Sequence, residues 1–143
     1  MGIKKQIRTT LVRLLTEHFS GSDKPQVAQF FASFPQSLFV SDDPNEADDL
    51  PAVAVAIPEG NLAESLDGQA AILTIRIYAS MEIHNMVDIL EAIEDEVKSL
   101  MGDDFDCNGL LENCAYSGFA HAMDDEMPWG TLDLNYNIDY LEG

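Results

Sequence analysis

The sequence predicts a two-layer α/β domain of the α+β kind, in which helices cover one face of a β-sheet. Three observations predict this class: a long alternating strand near the C-terminus, two apolar strands in the middle of the chain, and two amphipathic helices. The 143 residues, of which 46% are hydrophobic, fit one domain with its own core. We therefore expect a single domain over residues 1–143.

The C-terminal strand, residues 129–140, is the most regular predicted element. A period of two places its apolar side chains on one face of the sheet and its polar side chains on the other. A slip of one residue would bury the polar set, so the register is strongly specified. The apolar set is Leu132, Leu134, Tyr136, Ile138 and Tyr140, and the polar set is Asp133, Asn135, Asn137 and Asp139.

Two amphipathic helices are predicted, over residues 3–19 and 86–101. The first has an aliphatic stripe, on which His18 is expected to be a core or boundary residue, and a basic opposite face. A basic amphipathic helix can also lie on a membrane, but four basic residues in so acidic a protein favour a core helix. The second helix is expected to be capped by Asn85, to pair Glu94 with Lys98, and to end at Gly102.

The remaining strands are shorter. Residues 51–57 alternate alanine with valine and isoleucine, which predicts a branched core face and an alanine face that a helix or another subunit can approach closely. Residues 71–79 and 110–120 are predicted as further strands. Pro35 limits residues 27–40 to short edge strands. The connections are expected to be an acidic loop at 41–49, a mobile polar hairpin tip at 58–69, and an acidic turn at 121–128.

The charge is large and unevenly distributed. The chain has 26 acidic and 7 basic residues and a net charge of −19. Residues 1–24 hold five basic and two acidic residues, whereas residues 25–143 hold two basic and 24 acidic residues. Binding of nucleic acid through a basic patch is therefore disfavoured, because such patches supply most of that affinity. Acidity can also serve solubility alone.

No motif of catalysis or cofactor binding is present in the sequence. Residues 104–109 match the first half of a calcium loop, but the position of its bidentate glutamate is Ala115, so we expect an acidic turn. Cys107 and Cys114 are expected to be free, partly buried thiols, with a disulfide as the alternative. No apolar run approaches the roughly 20 residues that span a membrane. The residues alone indicate an acidic soluble domain without cofactor or enzymatic activity.

Several stretches in order resemble the minor tail protein U family, the tail terminators of lambda-like long-tailed phages. The resemblance covers most of the chain and departs from the family pattern at residues 20–49 and 103–116. The residues that carry it are 7–18, 50–55, Ser117-Gly118-Phe119, and the C-terminal series Trp129, Asp133, Leu134, Tyr136, Ile138 and Tyr140.

The resemblance implies a structural virion protein with a mixed sheet and helices on one side. It implies a homo-hexameric ring that caps the tail tube, ends its polymerisation and offers a surface for head joining. The partners would be other copies, the tail tube protein and head–tail connector proteins, with no membrane. DNA would pass through the ring without specific binding, and assembly would occur in the bacterial host cytoplasm.

The charge distribution suggests how such a ring would form. A closed ring needs two unlike patches that meet between neighbours, and the basic start and acidic remainder of the chain offer them. Arg8 and Arg13 are candidates for one patch, and Asp133 and Asp139 for the other. Copies at −19 repel one another, so salt or a divalent cation such as magnesium is expected to help assembly by screening.

Other functional classes stay open from the residues. An acidic DNA-mimic inhibitor would carry its acids along one exposed face, whereas these acids are spread over loops, the second helix and the last strand. Another head–tail neck or completion protein would differ only in its partners. An enzyme would require a pocket of paired carboxylates that no spacing in the sequence indicates.

Overall fold

The computed structural model describes residues 2–36, 38, 49–62, 68–81, 85–123 and 128–141. These residues form two helices and a five-stranded sheet. The helices are α1 (Ile3–His18) and α2 (Met86–Met101). The strands are β1 (Gln29–Phe31), β2 (Ala52–Leu62), β3 (Gly68–Ser80), β4 (Asn113–Met123) and β5 (Trp129–Leu141).

The sheet has the strand order β1-β2-β3-β5-β4 and is mixed. β1 is parallel to β2, and the other neighbours are antiparallel. β3 and β5 pair along their whole length, from Gly68 opposite Leu141 to Ser80 opposite Trp129. The predicted class is confirmed, because both helices pack on one face of this mixed sheet.

The main core lies between the helices and the sheet. α1 packs over β1 and β2, and α2 packs over β3 and β5. The predicted stripes are buried: α1 contributes Ile7, Leu11 and Leu15, and α2 contributes Met86, Leu90, Ile93, Val97 and Met101. The apolar set of β5 is buried as a group, which confirms its predicted register.

The alanine face of β2 belongs to a second, smaller cluster on the opposite side of the sheet. Ala52 and Ala54 are fully buried there, and the largely buried residues Leu38, Leu50 and Tyr78 complete the cluster. Phe31, Phe34 and Trp129 pack against this cluster. Aromatic side chains of the same chain thus occupy the space that the small alanines leave, where the sequence had suggested a helix or another subunit.

Two predicted connections were partly wrong, because the strands run further than the local pattern indicates. β2 continues to Leu62 and β3 begins at Gly68, so strand pairing extends through most of residues 58–69. A register shift between Ala56 and Glu59 accommodates Pro58, which has no N–H for the ladder. β4 extends to Met123, beyond the predicted turn boundary at residue 121. The hairpin tip at 63–67, the turn at 124–127 and the acidic loop at 41–48 lie outside the described residues.

The predicted end of α2 is confirmed at Gly102, whose φ of 48° is a left-handed conformation that favours glycine. Asn85 occupies the N-cap position, but its side chain makes no capping hydrogen bond, so that part of the prediction was wrong. The predicted pair is confirmed, since Lys98 Nζ lies 3.5 Å from Glu94 Oε2.

Glu96 joins the end of α1 to α2. Its Oε1 atom accepts hydrogen bonds from Lys24 Nζ at 2.9 Å and interacts with His18 Nε2 at 3.0 Å. The hydrogen bond from Lys24 lowers the pKa of Glu96, and partial desolvation opposes this effect. His18 is thus a boundary residue, one of the two roles that the sequence predicted for it.

We expect the Glu96→Gln variant to be less stable than the wild type in a pH-dependent way. Because the pKa of Glu96 is lowered by folding, its stabilising contribution is present above the ordinary carboxyl pKa of 4.5 and is lost as the pH falls through the folded value. The difference in Tm should therefore be largest near about pH 7 and shrink towards about pH 3.

Thermal unfolding followed by circular dichroism measures this difference. Asp95→Asn is the matched control, because Asp95 is an exposed neighbour on the same helix. A Tm difference for Glu96→Gln that stays constant across the whole pH range would contradict the assignment.

Candidate functional site

Among the described residues, the candidate sites are surfaces of the chain and not a metal centre. No group of three or more histidine, cysteine or acidic side chains that could hold a metal ion occurs among them. No helix in the described part of the chain is long and apolar enough to cross a membrane. The candidate sites are therefore the faces and edges of the sheet and the surfaces of the two helices.

The predicted acidic turn at 104–109 is a compact turn after α2. The backbone amides of Gly109 and Leu111 donate to the carbonyl of Asp106 at 3.1 and 2.9 Å. Cys107 and Asn108 have positive φ angles, which directs the Cys107 side chain into the core, where its Sγ lies 3.6 Å from the carbonyl oxygen of Ile7. This turn anchors the chain beneath α1.

Both thiols are free, as the sequence predicted. Cys107 is buried and Cys114 is partly buried. Burial raises the pKa of the Cys107 thiol to about 12 and that of the Cys114 thiol to about 11. The thiolate is the reactive form, so neither group is suited to nucleophilic chemistry near neutral pH.

A polar ladder occupies the middle of the sheet face opposite the helices. Arg76 Nε and Nη2 donate to the two carboxylate oxygens of Asp133 at 2.7 and 2.9 Å. Thr74 Oγ1 donates to Asn135 Oδ1 at 2.8 Å. The guanidinium also lies over the Phe34 ring, 4.0 Å from its centroid. The hydrogen bond to Asp133 raises the pKa of Arg76, so the guanidinium stays charged throughout the physiological pH range.

The four residues predicted as an interface lie on two different faces of the chain. Arg8 and Arg13 are on α1, where Arg8 Nη1 donates to the Ala32 carbonyl and Arg13 Nη1 lies 3.5 Å from Glu17 Oε1. Asp133 and Asp139 are on the face opposite the helices. Asp133 is paired with Arg76, and Asp139 Oδ2 accepts a hydrogen bond from Asn113 at 3.4 Å. The structure does not bring the two pairs together within one chain.

The two helices carry opposite charge and lie over different strands of the same sheet face. α1, over β1 and β2, has four basic residues and one acidic residue, Glu17. α2, over β3 and β5, has five acidic residues and one basic residue, Lys98. Sequence periodicity predicts both helices, but their placement side by side depends on the strand order.

β4 carries an exposed apolar surface that the sequence pattern does not indicate. Phe119, Met123 and Tyr116 expose 59%, 57% and 43% of their surface. Their register partners on β5, such as Leu134 opposite Phe119 and Tyr136 opposite Tyr116, are buried. No local signal in the sequence separates the exposed members of these pairs from the buried ones.

Comparison with known protein families identifies the class. The family model described as phage minor tail protein U matches residues 2–140. The chain therefore belongs to the phage minor tail protein U family, and it is a structural component of the phage tail in the virion. A comparison with curated proteins finds no match.

We expect Asp133→Asn to destabilise the fold. The change removes the charge of a bidentate, partly buried pair and leaves the Arg76 guanidinium poorly matched, which should cost about 1–3 kcal/mol of the free energy of unfolding. Urea unfolding measures this cost. Asp88→Asn, at an exposed position of α2, is the matched control and should change the free energy by less than about 0.5 kcal/mol. Equal effects of the two substitutions would show that the pair contributes nothing specific.

Proposed function

We propose that this protein is the tail terminator of its phage. In this role it forms a hexameric ring on the growing end of the tail tube, ends polymerisation and provides the surface to which the head is joined. Membership of the minor tail protein U family over residues 2–140 is the observation that carries the proposal. The proposed partners are other copies of the chain, the tail tube protein and head–tail connector proteins.

The distribution of charge on the helices supports a ring. A cyclic assembly uses a heterologous interface, in which one patch of each copy meets a different patch of the next. The basic helix α1 and the acidic helix α2 lie over different strands of the same sheet face and form such a pair of unlike patches. Repetition of the same contact gives a ring when the rotation between neighbouring copies brings the last copy into contact with the first.

The net charge of −19 supports two further parts of the proposal. An acidic lumen repels phosphate, so DNA can pass without being held at particular positions. The same charge makes the copies repel one another, and magnesium or salt promotes assembly by screening that repulsion. Magnesium acts here as a counterion, and no fixed magnesium site is part of the proposal.

Arg8, Arg13, Asp133 and Asp139 remain the proposed interface residues, with different expected effects. Arg13 is exposed, and among the residues that the structure describes its one ion-pair partner is Glu17 on the next turn. Its substitution therefore tests assembly alone. Arg8 and Asp133 also hold their own chain together through Ala32 and Arg76. Substitutions at Arg8 and Asp133 would therefore change stability as well as assembly.

A DNA-mimic inhibitor is less well supported. Such a protein needs its carboxylates free along one surface, whereas Glu96 and Asp133 are engaged by Lys24 and Arg76. A different head–tail completion protein would share the family's structural role and would bind other components of the neck. Binding to purified tail tubes separates that alternative from a terminator.

Sedimentation velocity over a range of protein concentrations tests the ring directly. We expect a shift from monomer to hexamer that is favoured by higher concentration, by magnesium or by added tail tubes. In an assembly assay with tube protein, addition of the chain should stop tube growth. A chain that neither self-associates nor binds tube ends under any of these conditions would overturn the proposal.

Charge reversal at Arg13 tests the role of α1 in assembly. Arg13→Glu should weaken assembly by about tenfold or more without lowering the Tm by more than about 2 °C, because the side chain is exposed. The matched control is the exchange Arg13→Glu with Glu17→Arg, which keeps the net charge and the helical pair. Recovery of assembly in the exchanged variant would show that only net charge matters and would remove Arg13 from the interface.

A further inference from the structure

The helix layer is too narrow to cover the sheet. Five strands at a spacing of about 4.8 Å make a sheet about 24 Å wide, whereas two helices side by side span about 20 Å. α1 packs over β1 and β2, and α2 packs over β3 and β5. β4 is therefore left at the border of the helix layer, where the Lys98 ammonium lies 4.6 Å from the centroid of the Tyr116 ring.

The exposed apolar residues on the helix side of β4 are Tyr116, Phe119 and Met123, which we call the β4 shelf. His121, opposite Leu132, lies on the same side between Phe119 and Met123. The three side chains of the shelf point to the same side of the sheet as the buried core of β5, as their register partners show. Each is substantially exposed, and the Phe119 ring lies edge-on to His121 with centroids 5.8 Å apart. Large apolar side chains in a row on a sheet normally pack under a helix, and the described residues supply none here.

The edge of the sheet at β4 is also unprotected by charge. Edge strands are usually blunted by lysine, by other charges or by proline. The stretch Asn113–Met123 contains no lysine, arginine, aspartate, glutamate or proline, although 23% of the whole chain is charged. Among the described residues no strand pairs with the outer side of β4, and its one irregularity is the register shift between Tyr116 and Gly118.

Charge on the helices indicates what would cover the shelf. Lys4 and Arg8 lie over the opposite border of the sheet, where they line a shallow depression with Ala56 and Ile57. On α2, Glu94 pairs with Lys98 beside Tyr116, and helical spacing places the exposed Glu91 on the same side. The border at α1 is thus basic, and the helix flank that overlooks the β4 shelf carries two acidic residues, Glu91 and Glu94, and one basic residue, Lys98, which leaves it net negative.

We propose that the β4 shelf receives α1 of a second copy of this chain. If the β1–β2 border of the next copy meets the β4 edge, that copy's α1 extends the helix layer over the shelf. Its basic flank then faces Glu91 and Glu94, while Phe119 and Met123 lose their exposure to water. The contact is heterologous and repeats in one direction, as a ring requires. This inference rests on the proposed ring and assigns the helix-side part of its interface.

Two matched substitutions test the shelf in the full-length protein. Phe119→Glu adds a negative charge to the shelf, and Leu141→Glu adds the same charge at an apolar residue that is 49% exposed on the opposite face of the sheet. We expect Phe119→Glu to weaken self-association by about tenfold or more and Leu141→Glu by less than about twofold. Thermal unfolding controls for folding, and neither variant should shift the Tm by more than a few degrees, because both side chains are exposed.

Cross-linking tests which surfaces meet and does not depend on loss of assembly. In a Cys114→Ser background, one protein carries Thr9→Cys on α1 and another carries His121→Cys on β4. When the two proteins are mixed, a short bis-maleimide should give far more cross-linked product between unlike chains than between two copies of the same chain. Equal or preferred joining of like chains would overturn the contact between α1 and β4.

The outcomes separate this inference from the proposed function. If the wild type and Phe119→Glu assemble equally, in solution and on tail tubes, the shelf is not the interface and the terminator proposal stands. If only Phe119→Glu fails to assemble, the inference is supported. If the wild type neither self-associates nor binds tube ends, the terminator proposal fails and the assigned interface fails with it.

Discussion

Thirteen consecutive residue pairs join β3 to β5, and the other elements take their positions from this ladder. On the helix side it sets Ile75 opposite Leu134 beneath α2, and on the other side it sets Arg76 opposite Asp133. A slip of one residue would bury Asp133 and strip Arg76 of its partner, so both faces specify the same register. β2 and β4 then extend the sheet on either side, and the helices are left to share the apolar face.

The elements with strong periodicity could be predicted from the sequence, because their burial repeats along the chain. The alternation of residues 132–140 and the stripes of both helices are of this kind. The strand ends at Leu62 and Met123 could not be predicted, since they are held by pairing with distant strands and not by local pattern. The same holds for the candidate site. The pair Arg76–Asp133 joins residues 57 apart in sequence, and the exposure of Phe119 follows from the number of helices available to cover five strands.

Because acidic residues are concentrated on α2, they repel one another, and nearby cationic groups of the same chain reduce this repulsion. Five acidic residues share α2, and three cationic or protonatable groups approach them: His18 and Lys24 at Glu96, and Lys98 at Glu94. The remaining acids face solvent, where water and salt screen their repulsion. On α1, Arg13 pairs with Glu17 and Arg8 donates to the Ala32 carbonyl, while Lys4 and Lys5 are exposed. A member of a phage tail family that acts through its surfaces thus keeps its core apolar and places its polarity where other molecules can meet it.

The burial of both cysteines has a consequence for the life of the particle outside its host. A virion leaves the reducing interior of the cell and persists in oxygenated surroundings, where exposed thiolates are converted to sulfenic acids and mixed disulfides. With pKa values of about 12 and about 11, Cys107 and Cys114 hold only a minute fraction of thiolate near neutral pH. Neither thiol therefore offers oxidants a ready target, and the two cysteines stay reduced in storage without the help of a cellular reductant.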